Sequence, residues 1–418
     1  MTRLVQKFGG TSVADVQKIK RAAEITAQAA AAGHEVTTVV SAMGHTTDHL
    51  IDLAEQVMAD PHGQASREMD MLLATGEQVS IALFTMALQS LGVNARSFTG
   101  AQAGIITENR HGSARIQEVR SDKVEATLSR GEVAVVAGFQ GITESEELTT
   151  LGRGGSDTTA VALAAAIGAD RCDIYTDVEG VFTADPRIIS EARCLPSVSY
   201  EEMLELAFTG AQVMNARSVE LAMDNQVPIR VRSTFTPENP GTLITHRVAS
   251  PEYTIAGIAL DMNSAVLKLK SLSAVSDTKP LEGVSSLFTR LTELGIQTDM
   301  VMVLKREDEP ASELVFTVEK SALARVQQLI ESLASALGNP LMQVETDTAK
   351  VSVVGRRLTS RPEVVAGVFE TLNDAEIPVQ MVATGDMRVS VLMPARFGRE
   401  AVRKIHQRFN LEEGTITV

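Results

Sequence analysis

Short apolar runs alternate with longer helical patterns through the first 245 residues, and this constrains the chain more than any other feature. Leu4 to Phe8 reads as a strand. Residues 13–32 follow as a helix with Val13, Val16, Ile19, Ala23 and Ile25 near one face. Val36 to Val40 is the next strand, and residues 66–91 are a long helical pattern. Val133 to Ala137 is wholly apolar, as expected of a parallel strand covered on both faces. Residues 157–167 form an alanine-rich helix, and Asp173 to Tyr175 and Val227 to Val231 are further strands. Such alternation predicts an α/β fold, a mostly parallel sheet sandwiched by helices.

The pattern changes near residue 245, where Pro240-Gly241 and Pro251 mark a boundary. Two stretches beyond it resemble each other. The first runs from a strand at Ala265–Leu269 through a helix from about Gly283 to Leu294, strands at Ile296–Val303 and Leu314–Val318, and a helix over 321–337. The second begins at Lys350–Val354, about 85 residues on. It continues with a helix from Glu363 to Asn373, strands at Ile377–Ala383 and Met387–Leu392, and a helix over 397–408. Each is an α+β βαββαβ unit. Such small sheets leave open edges that invite pairing within a chain or between copies. The expected domains are 1–248, 262–340 and 345–418.

Composition narrows the function. The 418 residues carry a formal net charge of -15, only two cysteines (Cys172 and Cys194) and no tryptophan. Without a basic run, phosphate neutralisation on nucleic acid is not expected. The cysteine spacing supports neither a disulfide framework nor a zinc site. No apolar run approaches the ~18 residues of a membrane span, and the first residues lack a secretion-signal pattern. The expectation is a reduced, cytoplasmic protein with no membrane or nucleic-acid partner and no resident metal.

Two glycine-bearing turns carry the chemistry. Lys7-Phe8-Gly9-Gly10-Thr11-Ser12 lies where a strand passes into a helix. Its glycines let the backbone approach a ligand, and its N–H groups favour phosphate. The bland alternative is a tight turn with a solvated lysine. The spacing is not that of a Walker A loop. Gly152-Arg153-Gly154-Gly155-Ser156-Asp157-Thr158-Thr159 is the second turn, with Thr158 and Thr159 as candidate helix caps and an arginine fork suited to a carboxylate. Thr176 and Asp177 follow a strand, where open sheets bind ligands. Ser41 and Thr46-Thr47-Asp48 follow another at the same sheet edge. Glu77, within a helical pattern, reads by itself as a surface carboxylate. Only His45 of the seven histidines stands inside these motifs. A carboxylate acceptor of a phosphoryl group is ionised at pH 7, with a free pKa near ~4, and needs no general base. A site of lysine, arginine, glycine N–H groups and hydroxyls suits that acceptor.

The strings KFGGTS, SAMG, TGE, GFQG, GRGGSDTTA and YTDVEGVFTADPR occur in the order and spacing of aspartate kinases of the amino acid kinase family. The chain resembles that family throughout, and its C-terminal pair resembles the family's tandem ACT domains. The resemblance implies transfer of the ATP γ-phosphate to L-aspartate, giving 4-phospho-L-aspartate, the first step towards lysine, threonine and methionine or a specialised branch. It implies Lys7, Arg153 and Asp157 as catalytic residues. Lys7, Phe8, Gly9, Gly10, Ser41, Thr176, Asp177, Phe182, Arg187 and Gln212 match the nucleotide site. Thr47, Glu77, Phe139, Arg153, Gly154, Gly155 and Ser156 match the aspartate pocket. Mg²⁺ would ride on the triphosphate. In relatives the first ACT unit is nested within the second, which would bring the 254–260 strand into the last sheet and suits a homo-oligomer formed through these units.

Several positions depart from the family pattern. Gln212 stands where many relatives carry lysine. Ser276 and Asp277 lie in an altered turn, Val303 and Leu304 replace a Gln-Asn pair, and Glu363 follows Pro362 where glycine is frequent. Lost amide side chains remove hydrogen bonds to an amino-acid effector. These changes predict weak or absent feedback by lysine and threonine, which would fit a dedicated copy in a specialised pathway. Two other readings are a kinase for another carboxylate, such as glutamate or acetylglutamate, and a non-catalytic amino-acid-binding regulator.

Overall fold

The computed structural model describes residues 2–211, 213–246, 255–272, 282–305 and 312–412. Two compact units divide the chain. The first comprises 1–183, 193–208 and 212–251, and the second 184–192, 209–211 and 252–418.

An eight-stranded sheet organises the first unit. Its order is Ser197–Ser199, Thr242–Thr245, Ile229–Ser233, Arg171–Thr176, Arg3–Phe8, Glu35–Val40, Val133–Ala137 and Ala95–Phe98. Every pairing is parallel except that of Ile229–Ser233 with Thr242–Thr245. All five residues of Val133–Ala137 are buried, as its unbroken apolar run requires. The strand order reverses at Arg3–Phe8, which has Glu35–Val40 on one side and the later Arg171–Thr176 on the other. Open sheets bind ligands outside the carboxyl ends of strands at such a switch point.

Helix boundaries depart from the sequence reading in ways that local chemistry explains. The first helix starts at Val16, because Asp15 caps it by accepting from the Lys18 N–H; a 3₁₀ turn occupies Gly10–Val13. The second glycine-bearing turn leads into a helix over Gly155–Ala166, longer at its start than expected. Thr158 and Thr159 do not cap it. Their hydroxyls bond back to the carbonyls of Gly154 and Gly155, one turn earlier. The N-cap is Gly154, in the left-handed region at φ 71°. The Ser66–Ser90 helix is long and apolar enough to cross a membrane by length and composition, which the run-length argument overlooked. It carries the buried Asp70 and Glu77, and Ile81, Phe84 and Leu88 pack into the core under the sheet.

The second unit contains two four-stranded antiparallel sheets. One runs Thr298–Lys305, Ser312–Glu319, Ser264–Leu272, Leu341–Glu345. The other runs Ile255–Asp261, Thr348–Gly355, Arg388–Pro394, Met381–Thr384. Ile255–Asp261 precedes the first sheet's strands in sequence yet pairs with Thr348–Gly355, so one unit is threaded inside the other. Two other elements are shorter than their patterns suggested: the α-helix within 321–337 spans Leu323–Ser332, and the strand within 377–383 begins at Met381. Val266, Met300 and Val315 of one sheet meet Leu392 of the other, with Met381 and Ala383 packed alongside. A charged cluster lies across the same contact. Lys350 Nζ is 2.6 Å from Asp299 Oδ2 and 3.6 Å from Asp261 Oδ2, and Arg388 donates to Asp299 Oδ1 at 2.8 Å. The Lys350 side chain is 3% exposed. Desolvation would raise the Asp299 carboxyl, but the two cations hold it below the usual carboxylate range.

Removing one member of a buried ion cluster leaves its partners uncompensated whatever apolar side chain takes its place, whereas removing the opposed charge as well does not. Lys350→Met should therefore destabilise the second unit by about 3 kcal/mol, and Lys350→Met combined with Asp299→Leu by much less. Urea unfolding of the two variants checks this; equal or greater loss from the double variant would contradict it.

Candidate functional site

Five loops leave the carboxyl ends of neighbouring strands in the main sheet, and they carry most of the residues singled out above. Lys7 is the penultimate residue of the Arg3–Phe8 strand and reaches across to the start of the Gly155–Ala166 helix. Its Nζ lies 2.6 Å from Asp157 Oδ1, with both side chains 12% exposed. Asp157 sits in the first helical turn, where a carboxylate also complements the helix dipole. The ring of Phe8 does not face the turn. It is fully buried, stacked on Tyr175 at 4.8 Å between ring centres and tilted against Phe84, so only its backbone borders the loop. Gly9 donates to the Tyr175 carbonyl, and Ser41 donates its N–H to the Phe8 carbonyl, which ties three strand ends together.

Glu77 is where sequence reasoning alone erred. It is not a surface group but 2% exposed, on the inner face of the Ser66–Ser90 helix. Oε1 accepts from the Ala42 N–H at 3.1 Å, while Oε2 has no hydrogen-bond partner among the described residues. Burial pushes its pKa up to about 7, offset in part by backbone donors including Ala42. Thr47 lies half-buried in the first turn of the neighbouring Thr46–Val57 helix.

Phe139 follows the Val133–Ala137 strand with φ 69°, a left-handed conformation that is costly for a bulky residue. Bonds on both sides hold it there. Its N–H donates to Thr159 Oγ1, and its carbonyl accepts from the Leu151 N–H. A methyl group on Gly138 would come within 2.6 Å of Ser156 Oγ, so the Gly138–Phe139 turn and the Gly154–Asp157 turn are in direct contact. Gly154 is held from the other side, where a Cβ would collide with Asn215. Asn215 donates to the Arg153 carbonyl at 3.0 Å and caps the Ala216–Asp224 helix through the Arg217 N–H. The Arg153 side chain is exposed and forms no ion pair among the described residues.

Sequence reading missed Asn215, Tyr175 and Thr234 as site-building residues. Thr234 Oγ1 lies 2.6 Å from Ser12 Oγ in a buried contact, fastening the first glycine-rich turn to the Ile229–Ser233 strand end. A polar residue just past a strand was the available signal. Thr176 donates to Asp177 at the neighbouring strand end. Phe182, half-buried, bridges to Cys194. These lie in the first unit, whereas Arg187 belongs to the second, where it pairs with Asp185 at 2.8 Å and is 81% exposed. Gln212, Ser276 and Asp277 lie outside the described residues. Val303 and Leu304 are on the edge strand Thr298–Lys305, 46% and 43% exposed. His45 is 96% exposed and contacts Asp48, leaving no histidine base at these strand ends among the described residues.

Residues 2–233 match the model of the amino acid kinase family, and residues 351–409 match an ACT domain. The chain is 43% identical over 416 residues to the aspartokinase of Geobacillus stearothermophilus, spanning 99% of both chains. It is 44% identical over 414 residues to aspartokinase 2 of Bacillus subtilis, again 99% of both. The chain belongs to the aspartokinase family. Among solved structures, E. coli aspartokinase III in complex with aspartate and ADP (R-state) superposes with a TM-score of 0.83 at 27% identity, covering 97% of this chain and 99% of that one. The same enzyme with lysine and aspartate (T-state) gives 0.74 at 27% identity, covering 98% and 99%. The chain is thus a kinase with the amino acid kinase fold followed by ACT-type sheets, and the glycine-bearing turns of the family lie on one edge of its main sheet.

The Glu77 carboxyl gives a sign that can be tested without substrate. Its folded-state pKa lies above the unfolded value, so its contribution to stability is present in acid and lost as pH rises from about 4.5 to about 7. Glu77→Gln keeps an acceptor for Ala42 and escapes this loss. The variant should match wild type near pH 4.5 and exceed it at pH 8 by on the order of 2–3 kcal/mol. Thermal melts at the two pH values check this, and no change in the difference would contradict it.

Proposed function

We propose that this chain transfers the ATP γ-phosphoryl group to the side-chain carboxylate of L-aspartate, with Lys7, Arg153 and Glu77 in the leading roles. The observation that carries the reading is the convergence of Lys7 and Asp157 with the Gly154–Ser156 turn, set beside a buried carboxylate that lacks a second partner. An aspartate Oδ attacks the γ-phosphorus in line as the bond to the β–γ bridging oxygen breaks, and ADP leaves. No proton moves, because the acceptor is already ionised. Lys7 supplies positive charge at the phosphoryl group, and Asp157 fixes its ammonium in place. Backbone groups of Gly9 and Gly10, with Ser41, line the phosphates. Thr176, Asp177 and Phe182 border the nucleoside.

The Arg153 fork takes the α-carboxylate of aspartate, bordered by Thr47, Phe139, Gly155 and Ser156. Glu77 takes the ammonium group, which satisfies its unpartnered Oε2 and draws its proton off. No three acidic, histidine or cysteine side chains cluster as a metal site among the described residues. Mg²⁺ would on this reading be held by phosphate oxygens and water and would neutralise triphosphate charge, with no protein side chain assigned to it.

ADP release measured with aspartate, with glutamate and with neither separates this reading from a kinase for another carboxylate and from a non-catalytic regulator. Lys7→Ala should lower turnover on the order of 10²–10⁴-fold. Arg153→Lys should mainly raise the aspartate KM, since a point charge replaces a fork. Unchanged turnover in the first, or an unchanged KM in the second, would remove that residue from its role.

The edge strand Thr298–Lys305 presents Val301, Val303 and Leu304 exposed, and such an edge suits pairing with a second copy. We read the protein as a homo-oligomer joined there, with weak or absent feedback because two apolar side chains stand where relatives place amides. Activity should persist in millimolar lysine, threonine and both together. Concerted inhibition would overturn the feedback reading.

A further inference from the structure

Asp70 lies two turns before Glu77 on the Ser66–Ser90 helix, and its side chain is completely buried. Burying a carboxylate is costly unless its oxygens are fully engaged, and here they are. Oδ1 accepts from Thr150 Oγ1 at 2.5 Å and from the Gly112 N–H at 3.1 Å. Oδ2 accepts from His111 Nδ1 at 2.7 Å and from the same Gly112 N–H at 3.1 Å. None of these contacts touches the atoms assigned to the reaction. They join the helix that carries Glu77 to the strand that leads into Arg153 and to the loop over 111–114. Thr150 ends the Leu148–Thr150 strand, three residues before Arg153, and its carbonyl accepts from the Ala114 N–H. The loop over 111–114 also packs on the start of the turn, because a Cβ at Gly152 would meet the Gly112 carbonyl at 3.3 Å. At its other end the turn is held by Asn215 on the Arg153 carbonyl. Gln140 adds a parallel tie, donating to the Ala74 carbonyl on the same helix.

We propose that Asp70 is a positioning residue that sets the spacing between Glu77 and Arg153, and through it the fit of the bound amino acid. The proposal rests on the reading of Arg153 as the carboxylate fork. An amide in place of the carboxylate accepts on one atom only, so either Thr150 or His111 must turn from donor to acceptor and the Gly112 N–H loses one of its two acceptors. Asp70→Asn should raise the aspartate KM about tenfold, as for loss of a hydrogen bond to a charged group. The ATP KM and kcat should stay within about threefold.

The test is a double-mutant cycle of Asp70→Asn with Arg153→Lys, read as KM for each substrate in the full-length enzyme. An aspartate KM effect well below the product of the single changes supports the proposal. A multiplicative effect, or equal rises in both KM values, overturns it. If Arg153→Lys alone leaves the aspartate KM unchanged, the reading of Arg153 fails, independently of what Asp70→Asn does by itself. Should Asp70→Asn not fold, Thr150→Val and Thr150→Ser decide the matter. A raised aspartate KM in the valine variant that the hydroxyl of the serine variant restores supports the role, and identical behaviour of the two overturns it.

Discussion

The contact between Lys7 and Asp157 is the constraint on which the site depends. Both groups are largely withdrawn from water, and their separation of 2.6 Å spans the gap between a strand end and a helix start. A lysine there without its carboxylate would bear an uncompensated desolvation cost, and the carboxylate alone would repel a triphosphate. Paired, they form a fixed dipole with the ammonium as its positive pole, which on the proposed reading needs little reorganisation when phosphate charge arrives. Further contacts at the sheet edge hold the strand and the turns beside it. Phe8 anchors the strand by stacking on Tyr175, and Ser12 is fastened to Thr234. The absence of a Cβ at Gly138 lets the adjoining turn lie against Ser156.

Seen from that pole, the polarity of the surroundings is graded. On one side are backbone N–H groups and hydroxyls, which tolerate an anion without adding net charge. On the other is Glu77, a carboxylate pushed up to about 7 by its burial and left with one unpartnered oxygen. An empty acceptor of that kind is poorly matched to a phosphate and well matched to an ammonium group. The strained Phe139 is held at φ 69° by bonds to Thr159 and Leu151. Strain retained against such a cost is consistent with a wall whose position matters.

Much of this was legible in the sequence because strand tips bearing glycine, lysine and hydroxyl residues leave contiguous strings. KFGGTS and GRGGSDTTA announced their turns, and the unbroken apolar run at Val133–Ala137 announced a parallel strand covered on both faces. What stayed hidden depended on contacts between distant segments. Glu77 read as a surface group because the 66–91 pattern is mixed in polarity; only the approach of Ala42 explains its burial. Asn215 and Asp70 carry no motif of their own, since each acts on a turn more than 60 residues away. The caps assigned to Thr158 and Thr159 failed for a local reason, as a left-handed Gly154 caps the helix four residues before Thr158.

In the second unit the same principle works with opposite economy. Its sheets meet through a small apolar cluster together with a charged group in which two cations and two carboxylates neutralise each other. An apolar contact alone would be indifferent to small slides between two flat sheets. The ion cluster is not, because Asp299 must serve Lys350 and Arg388 through separate oxygens. This contact involves strands from both ends of the unit's sequence, including the displaced Ile255–Asp261 strand through Asp261. Threading one βαββαβ copy within the other therefore does more than close a sheet. It brings Asp261 to Lys350, so that the register of the last sheet and the docking of the two sheets are fixed by one buried ammonium group.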